Sequence, residues 1–351
     1  MTSLFDPIQI GDIALTNRVV MAPLTRNRAI AGNVAGPLTI EYYRQRASAG
    51  LIIAEATQIS PIAQGYLDTP GIHSPEQIAG WRQVTDAVHA AGGKIVLQLW
   101  HVGRISHSSL LPDGAPPVSS TAKHSSAMTF TSEGFVPVSP ARALRDDELP
   151  GLVDDYRRAA RNAIAAGFDG VEVHAANTYL LEQFLRDSVN DRSGPYGGSI
   201  ANRARLLLEV TDAAVGVWGA ARVGVHLAPR GDAHDVGDSD RLATFSHVAR
   251  ELGRRGIAFI AARENTGPGR IGPQLKAAFG GTWVANEGLD AASANALLAA
   301  GEADAVAFGK LFIANPDLPR RFATGAPLNK PDPQTFYAPG AKGYTDYPAL
   351  A

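Results

Sequence analysis

Between His174 and Tyr179 the chain brings an imidazole, a carboxamide (Asn177) and a phenol into one short run. An imidazole N–H and an amide N–H side by side can both donate to one carbonyl oxygen and stabilise negative charge that develops there. A phenol beside them can deliver a proton. The same residues have a structural alternative, because Asn is a favoured N-cap and His174 and Asn177 could simply start the helix TYLLEQFL that follows. Glu172 and His174 share a strand face at a spacing of two, yet no H-E-x-x-H or comparable ligand set accompanies them, so no metal is expected. A G-x-S-x-G elbow is missing, which sets serine hydrolysis aside. With Cys 0, disulfides, thiolate metal sites and cysteine nucleophiles are excluded.

Such groups need a frame, and the frame is legible as alternation. Apolar, β-branched runs recur at 18–23, 51–57, 94–100, 170–176, 222–229, 257–263, 282–288 and 305–309. These about eight runs have the near-continuous apolar character of parallel strands buried on both faces. Longer segments with helical spacing separate them. Pro75 to Ala91 puts Ile78, Trp81, Val84 and Val88 on one stripe, after Ser74 as N-cap and before Gly92-Gly93. Asp146–Ala166, Arg203–Val217, Asp240–Leu252 and Ala291–Ala300 continue the series. No strand opens into a G-x-G-x-x-G turn, so the α/β fold expected is a single (β/α)8 TIM barrel over 1–351, not a doubly wound sheet. Residues 4–17 read as a hairpin on the barrel floor, with Gly11-Asp12 at its turn. Residues 101–142, rich in Ser, Pro and Gly, read as an insertion capping the mouth.

Lys+Arg 32 against Asp+Glu 34 gives a net charge of −2 with no long run of either sign. That argues against a nucleic-acid partner or an anionic membrane surface. No apolar stretch approaches the ~20 residues that span a bilayer, and no signal peptide opens the chain, so a cytoplasmic protein is expected.

Catalytic groups of such a barrel stand at the C-terminal ends of the strands. Those ends read Pro23-Leu24-Thr25-Arg26, Ala56-Thr57, Gln98 to His101, His174 to Asn177, His226, Arg263, Asn286-Glu287 and Gly309-Lys310. The combination of MAPLTR (21–26), QLWHVGR (98–104), HAANTYLLEQFLRD (174–187), YGGSIANR (196–203), VAFGKLFIANPDLPRRF (306–322) and GYTDYP (343–348) resembles the Old Yellow Enzyme family of flavin-dependent reductases. The resemblance covers nearly the entire chain. Thr25, together with the His/Asn pair, is similar to the branch of bacterial enone and nitrate-ester reductases.

The resemblance implies FMN across the barrel mouth, with NADPH or NADH as reductant and an electron-poor alkene as substrate. Pro23, Leu24, Thr25, Ala56 and Gln98 would face the flavin ring, with Thr25 near O4 and Gln98 on the pyrimidine side. His226 would lie at the N1/O2 edge, and Glu287, Gly288, Gly309 and Lys310 near the phosphate. His174 and Asn177 would hold the substrate carbonyl, hydride would pass from flavin N5 to the β-carbon, and Tyr179 would protonate the α-carbon. Tyr66, Trp100 and Tyr337 would line the substrate pocket. A monomer or homodimer is expected.

Four positions depart from the family pattern: His226 where arginine is usual, Lys310 where arginine is usual, Glu287 close to the phosphate, and Thr178 where glycine is usual. Histidine titrates near neutrality, lysine lacks arginine's bidentate fork, and a carboxylate repels phosphate unless it points away or meets Lys310. A second reading follows: weakened or lost flavin binding, with redox-neutral isomerase or cyclase chemistry, or non-catalytic ligand binding.

Overall fold

Uninterrupted runs of Val, Ile and Leu pair side by side because a parallel strand buries both of its faces. In the computed structural model, which describes residues 2–231 and 233–351, they form eight barrel strands. These are β1 (Val19–Met21), β2 (Leu51–Ile53), β3 (Ile95–Trp100), β4 (Gly170–Ala175), β5 (Val223–Leu227), β6 (Phe259–Arg263), β7 (Thr282–Asn286) and β8 (Ala305–Phe308). Each pairs in parallel with the next, and β8 returns to β1, so the sheet closes into the expected (β/α)8 barrel. The second run is shorter as a strand than as a sequence pattern. It stops at Ile53, and Thr57–Gln58 then pairs separately with the end of β3.

The helix expected from Pro75 spans Pro75–Ala90. Ser74 accepts the N–H of Gln77 while the Gln77 side chain reaches back, a capping box that contributes about 1 kcal/mol. Trp81, Val84 and Val88 are fully buried against the barrel. The other expected helices lie at Leu149–Ala165, Ile200–Trp218, Arg241–Arg254 and Ala291–Ala299. Pro37–Gln45 and Gly272–Phe279 are helices the apolar pattern did not announce, since each buries only three residues.

At the floor, Ile8–Ile10 and Ile13–Leu15 form an antiparallel hairpin. Its Ile10, Ile13 and Leu15 pack on Val20, Leu51, Ile53 and Val96 inside the barrel. Gly11 at the turn has φ +55°, and a Cβ there would stand 2.0 Å from the Ala221 carbonyl oxygen. Within residues 101–142 the main regular piece is a hairpin, Met128–Thr131 with Gly134–Pro137.

Past β1 the chain enters a buried knot that fixes the site's geometry. Arg26 lies over the rings of Tyr42 and Tyr344, 5.0 and 4.9 Å from their centroids. It donates to the carbonyls of Phe336 and Gly343 at 3.1 and 2.9 Å. Arg28 collects the carbonyls of Thr335, Phe336 and Gly340. Two guanidinium groups thus tie the C-terminal segment to the end of β1 and set Tyr337 at the mouth. Glu55 is the buried carboxyl beside them, accepting the Arg26 N–H at 3.2 Å. Burial pushes its pKa up to about 7, against the lowering effect of that N–H and of the arginine charge.

A carboxyl whose pKa rises on folding stabilises the fold while both states are protonated, and that contribution fades as pH climbs from its ordinary 4.5 toward 7. Glu55→Gln removes this dependence. Urea unfolding of the two proteins should therefore show a free-energy difference that drifts toward the variant by up to about 3 kcal/mol over that window. A difference constant with pH would show that Glu55 titrates normally.

Candidate active site

A cavity of about 750 Å3 opens at the C-terminal ends of the strands, within the range of small-molecule and cofactor sites. Pro23, Leu24 and Thr25 after β1, Ala56 after β2, and Gln98 of β3 line it. His174, Asn177 and Tyr179 come from β4 and its loop, His226 from β5, and Glu287, Gly288, Gly309 and Lys310 from the ends of β7 and β8. Tyr66 and Tyr337 reach it from loops. Trp100 does not line it, contrary to the sequence expectation. It is fully buried, stacked under Tyr66 at 5.9 Å and edge-on to Tyr179 at 5.1 Å, so it supports the two phenols from behind. Sequence reasoning left Arg263 of β6 without a role and did not single out Met128, Phe130 and Phe135 of the insertion hairpin, all of which face the cavity.

Register builds the floor. Glu172 stands level with Gln98 across β3 and β4, and His174 level with His226 across β4 and β5. The Gln98 amide donates to Glu172 Oε1 at 2.7 Å and lies 3.1 Å from His226 Nδ1. His226 Nδ1 also lies 3.6 Å from Glu172 Oε1, so Nε2 is the ring nitrogen left for a ligand. His226 Nε2 is buried and has no protein partner among the described residues.

His174 is fixed by the same logic. Its Nδ1 accepts the Ala176 backbone N–H at 3.3 Å, so Nε2 carries the proton. Burial, then the neighbouring His226 and Arg263, drive its pKa well below the ordinary histidine value and keep the ring neutral. The ring stacks on His226 at 5.3 Å and meets Tyr179 edge-on at 5.2 Å. The Tyr179 hydroxyl lies 3.1 Å from that of Tyr66. Burial and this second phenol push its pKa well above 10, while the Arg263 charge lowers it.

Asn177 does not cap the following helix, Leu180–Leu185, whose N-cap is Tyr179 and has no side-chain cap bond. Its Oδ1 instead accepts Arg263 Nη1 at 2.9 Å. A guanidinium has donors only, so the atom facing it is the amide oxygen, and the NH2 is free to face elsewhere. Asn177 and Thr178 both have positive φ, +55° and +69°. A β-branched residue in that region is a costly outlier, which explains why glycine would be the unstrained choice at Thr178. Buried partners hold the turn: Thr178 N–H donates to Glu182 at 2.5 Å and the Gln183 amide to the Thr178 carbonyl at 2.7 Å. Glu182 is itself paired with Arg186 at 2.7 Å.

Glu287, expected to repel a phosphate unless it met Lys310, is taken by Arg263 instead at 2.9 Å. Lys310 makes no ion pair among the described residues and remains a free ammonium on the cavity wall. These features fit FMN. A flavin presents carbonyl oxygens and ring nitrogens along its pyrimidine edge, and the orphaned His226 Nε2 beside Gln98 would be a polar partner for that edge. Its phosphate needs a cation, which Lys310 beside Gly288 and Gly309 would offer.

The profile of the NADH:flavin oxidoreductase / NADH oxidase family matches residues 3–329. Among solved structures, morphinone reductase in complex with tetrahydroNAD superposes with a TM-score of 0.97 at 50% identity, covering 100% of this chain and 98% of that one. The Old Yellow Enzyme homologue from Zymomonas mobilis gives 0.96 at 45% identity, covering 99% and 100%. The 12-oxophytodienoate reductase 1 of Oryza sativa subsp. japonica is 48% identical over 360 residues, 99% of this chain and 93% of its own length. The chain belongs to the NADH:flavin oxidoreductase / NADH oxidase family and is an NAD(P)H-dependent FMN oxidoreductase of the Old Yellow Enzyme type.

Proposed function

We propose that this enzyme reduces the C=C bond of α,β-unsaturated ketones, aldehydes and maleimides, with His174 and Asn177 holding the carbonyl oxygen and Tyr179 supplying the proton. The observation that carries this reading is the tethering of the two acceptor atoms. His174 Nδ1 is occupied by a backbone N–H and Asn177 Oδ1 is turned to Arg263, so the atom each residue has unpaired for a ligand is an N–H donor. Two neutral donors suit an oxygen that gains charge during reaction, because they strengthen as the charge grows. Two relatives are named as reductases of oxo compounds, morphinone and 12-oxophytodienoate, which supports a ketone as the acceptor.

FMN, when bound, supplies the two-electron chemistry between NAD(P)H and the alkene. Thr25, Ala56, Gln98 and His226 would hold its ring and Lys310 its phosphate, all of them on the cavity wall. His174 and Asn177 orient the carbonyl and draw electron density from the alkene. Tyr179, kept protonated by burial, holds its proton for the α-carbon, and Tyr66 at 3.1 Å is placed to replace it. Met128, Phe130 and Phe135 of the insertion hairpin give the mouth an apolar wall. The redox-neutral alternative loses its main support, since Glu287 is neutralised by Arg263 and Lys310 stays available.

The purified protein mixed with FMN and desalted should keep a yellow band that bleaches anaerobically with NADPH or NADH and returns on adding cyclohex-2-enone. Replacing both donors, His174→Ala with Asn177→Ala, should slow that return by more than about 10²-fold while bleaching proceeds. Undiminished reoxidation by the enone in the double variant would refute the assignment. Tyr179→Phe should slow enone reduction by about 10²-fold and leave the enone dissociation constant within a few-fold. A variant that weakens binding but turns over at the original rate would instead make Tyr179 a binding group.

A further inference from the structure

Arg263 ends β6 with its side chain at the cavity mouth, and its guanidinium reaches two loops at once. One arm donates to Asn177 Oδ1 in the β4 loop and the other to Glu287 Oε1 in the β7 loop, both at 2.9 Å. Those two partners share an unusual backbone: Asn177 has φ +55° and Glu287 φ +99°. Left-handed conformations in residues other than glycine persist where the surroundings over-determine them, and the planar fork adds one side-chain tether at each.

Without this arm the Asn177 amide has no hydrogen-bond partner among the described residues to define its orientation. A carboxamide turned by 180° about its terminal bond exchanges its NH2 for a carbonyl oxygen, and an oxygen facing a substrate carbonyl repels it. The Nη1 donor excludes the turned state, because it would then meet an NH2. Glu287 in turn orients the guanidinium, which is the role a carboxylate plays for a cation exposed at a mouth. Neither lysine nor a neutral residue could serve both loops, since the two bonds need the fixed spread of a guanidinium.

We propose that Arg263 is a positioning residue for carbonyl recognition: clamped by Glu287, it fixes the Asn177 amide so that its NH2 faces the substrate oxygen. The proposal rests on Asn177 being a carbonyl donor. The Arg263 charge also acts directly on the site, lowering the proton affinity of both His174 and Tyr179. That field supports the assignment without carrying it.

A double-mutant cycle on the FMN-loaded protein tests this: wild type, Arg263→Ala, Asn177→Ala and the pair. Calorimetric titration of the oxidised holoenzyme with cyclohex-2-enone gives the dissociation constant, and steady-state kinetics give kcat and KM. Arg263→Ala should weaken enone binding about tenfold in the wild-type background and less than about twofold once Asn177 is already alanine. Arg263→Lys, which keeps the charge and a donor group but not the fork, should recover part of the loss. Full additivity of the two substitutions, or wild-type enone affinity in Arg263→Ala, would overturn the proposal. So would a loss of flavin retention in Arg263→Ala that accounts for the whole effect. If Asn177→Ala alone leaves enone affinity unchanged, the carbonyl-donor reading itself fails and the positioning role falls with it.

Discussion

Barrel closure is the constraint from which the site follows. Parallel pairing of β3 with β4 and of β4 with β5 puts Gln98 level with Glu172 and His174 level with His226. Side chains that alternate along a strand then fall into layers, with Val171, Val173 and Ala175 turned to the helices and Glu172 and His174 turned inward. A one-residue slip at either pairing would exchange these sets and bury the imidazoles among helices. The floor hairpin reinforces the register from below, since Ile10, Ile13 and Leu15 fill the barrel bottom and leave the upper layers for polar groups.

Around that barrel, arginines do the work of connection. Arg26 and Arg28 collect carbonyls of the C-terminal segment, Arg46 collects those of Phe312 and Ile313, and Arg263 joins two loops across the mouth. The first three face backbone carbonyls, and Arg263 divides its fork between an amide oxygen and a carboxylate. A guanidinium is suited to this because it is weakly hydrated, planar and donor-only, so it can be buried against several carbonyls that would otherwise lack partners. The loops are where such help is needed, because irregular backbone near a cavity cannot satisfy itself within a sheet or helix.

What the sequence made legible is what depends on short-range pattern. The eight apolar runs, the Ser74 cap of the helix Pro75–Ala90 and the Gly11 turn were readable because each is set by neighbours along the chain. The rim residues were readable because strand ends converge in any parallel barrel. The rest depended on contacts distant in sequence. Arg263 and Asn177 are 86 positions apart, so nothing local says that the asparagine oxygen is occupied or that Asn177 is no helix cap. Trp100 was placed in the pocket by the family resemblance, but Tyr66 arrives from another loop and stacks on it. Glu287 looked harmful beside a phosphate only because its partner lies on a different strand.

The charge distribution of the mouth bears on its chemistry. His174 is held neutral and Tyr179 protonated by burial, and Asn177 has no charge to lose, so the proposed carbonyl site contains donors but no cation. A full positive charge there would bind an anionic ligand tightly in the ground state, whereas neutral dipoles bind a neutral ketone weakly and favour the charged transition state more. The nearby formal charge is kept one step away, on Arg263, and is balanced by Glu287. Its field falls on the phenol in the direction that eases proton release, opposing the desolvation that keeps the proton in place. An acid that stays protonated at rest yet is biased toward release is what protonation of a carbon centre requires, because the proton must leave only once the α-carbon has gained electron density.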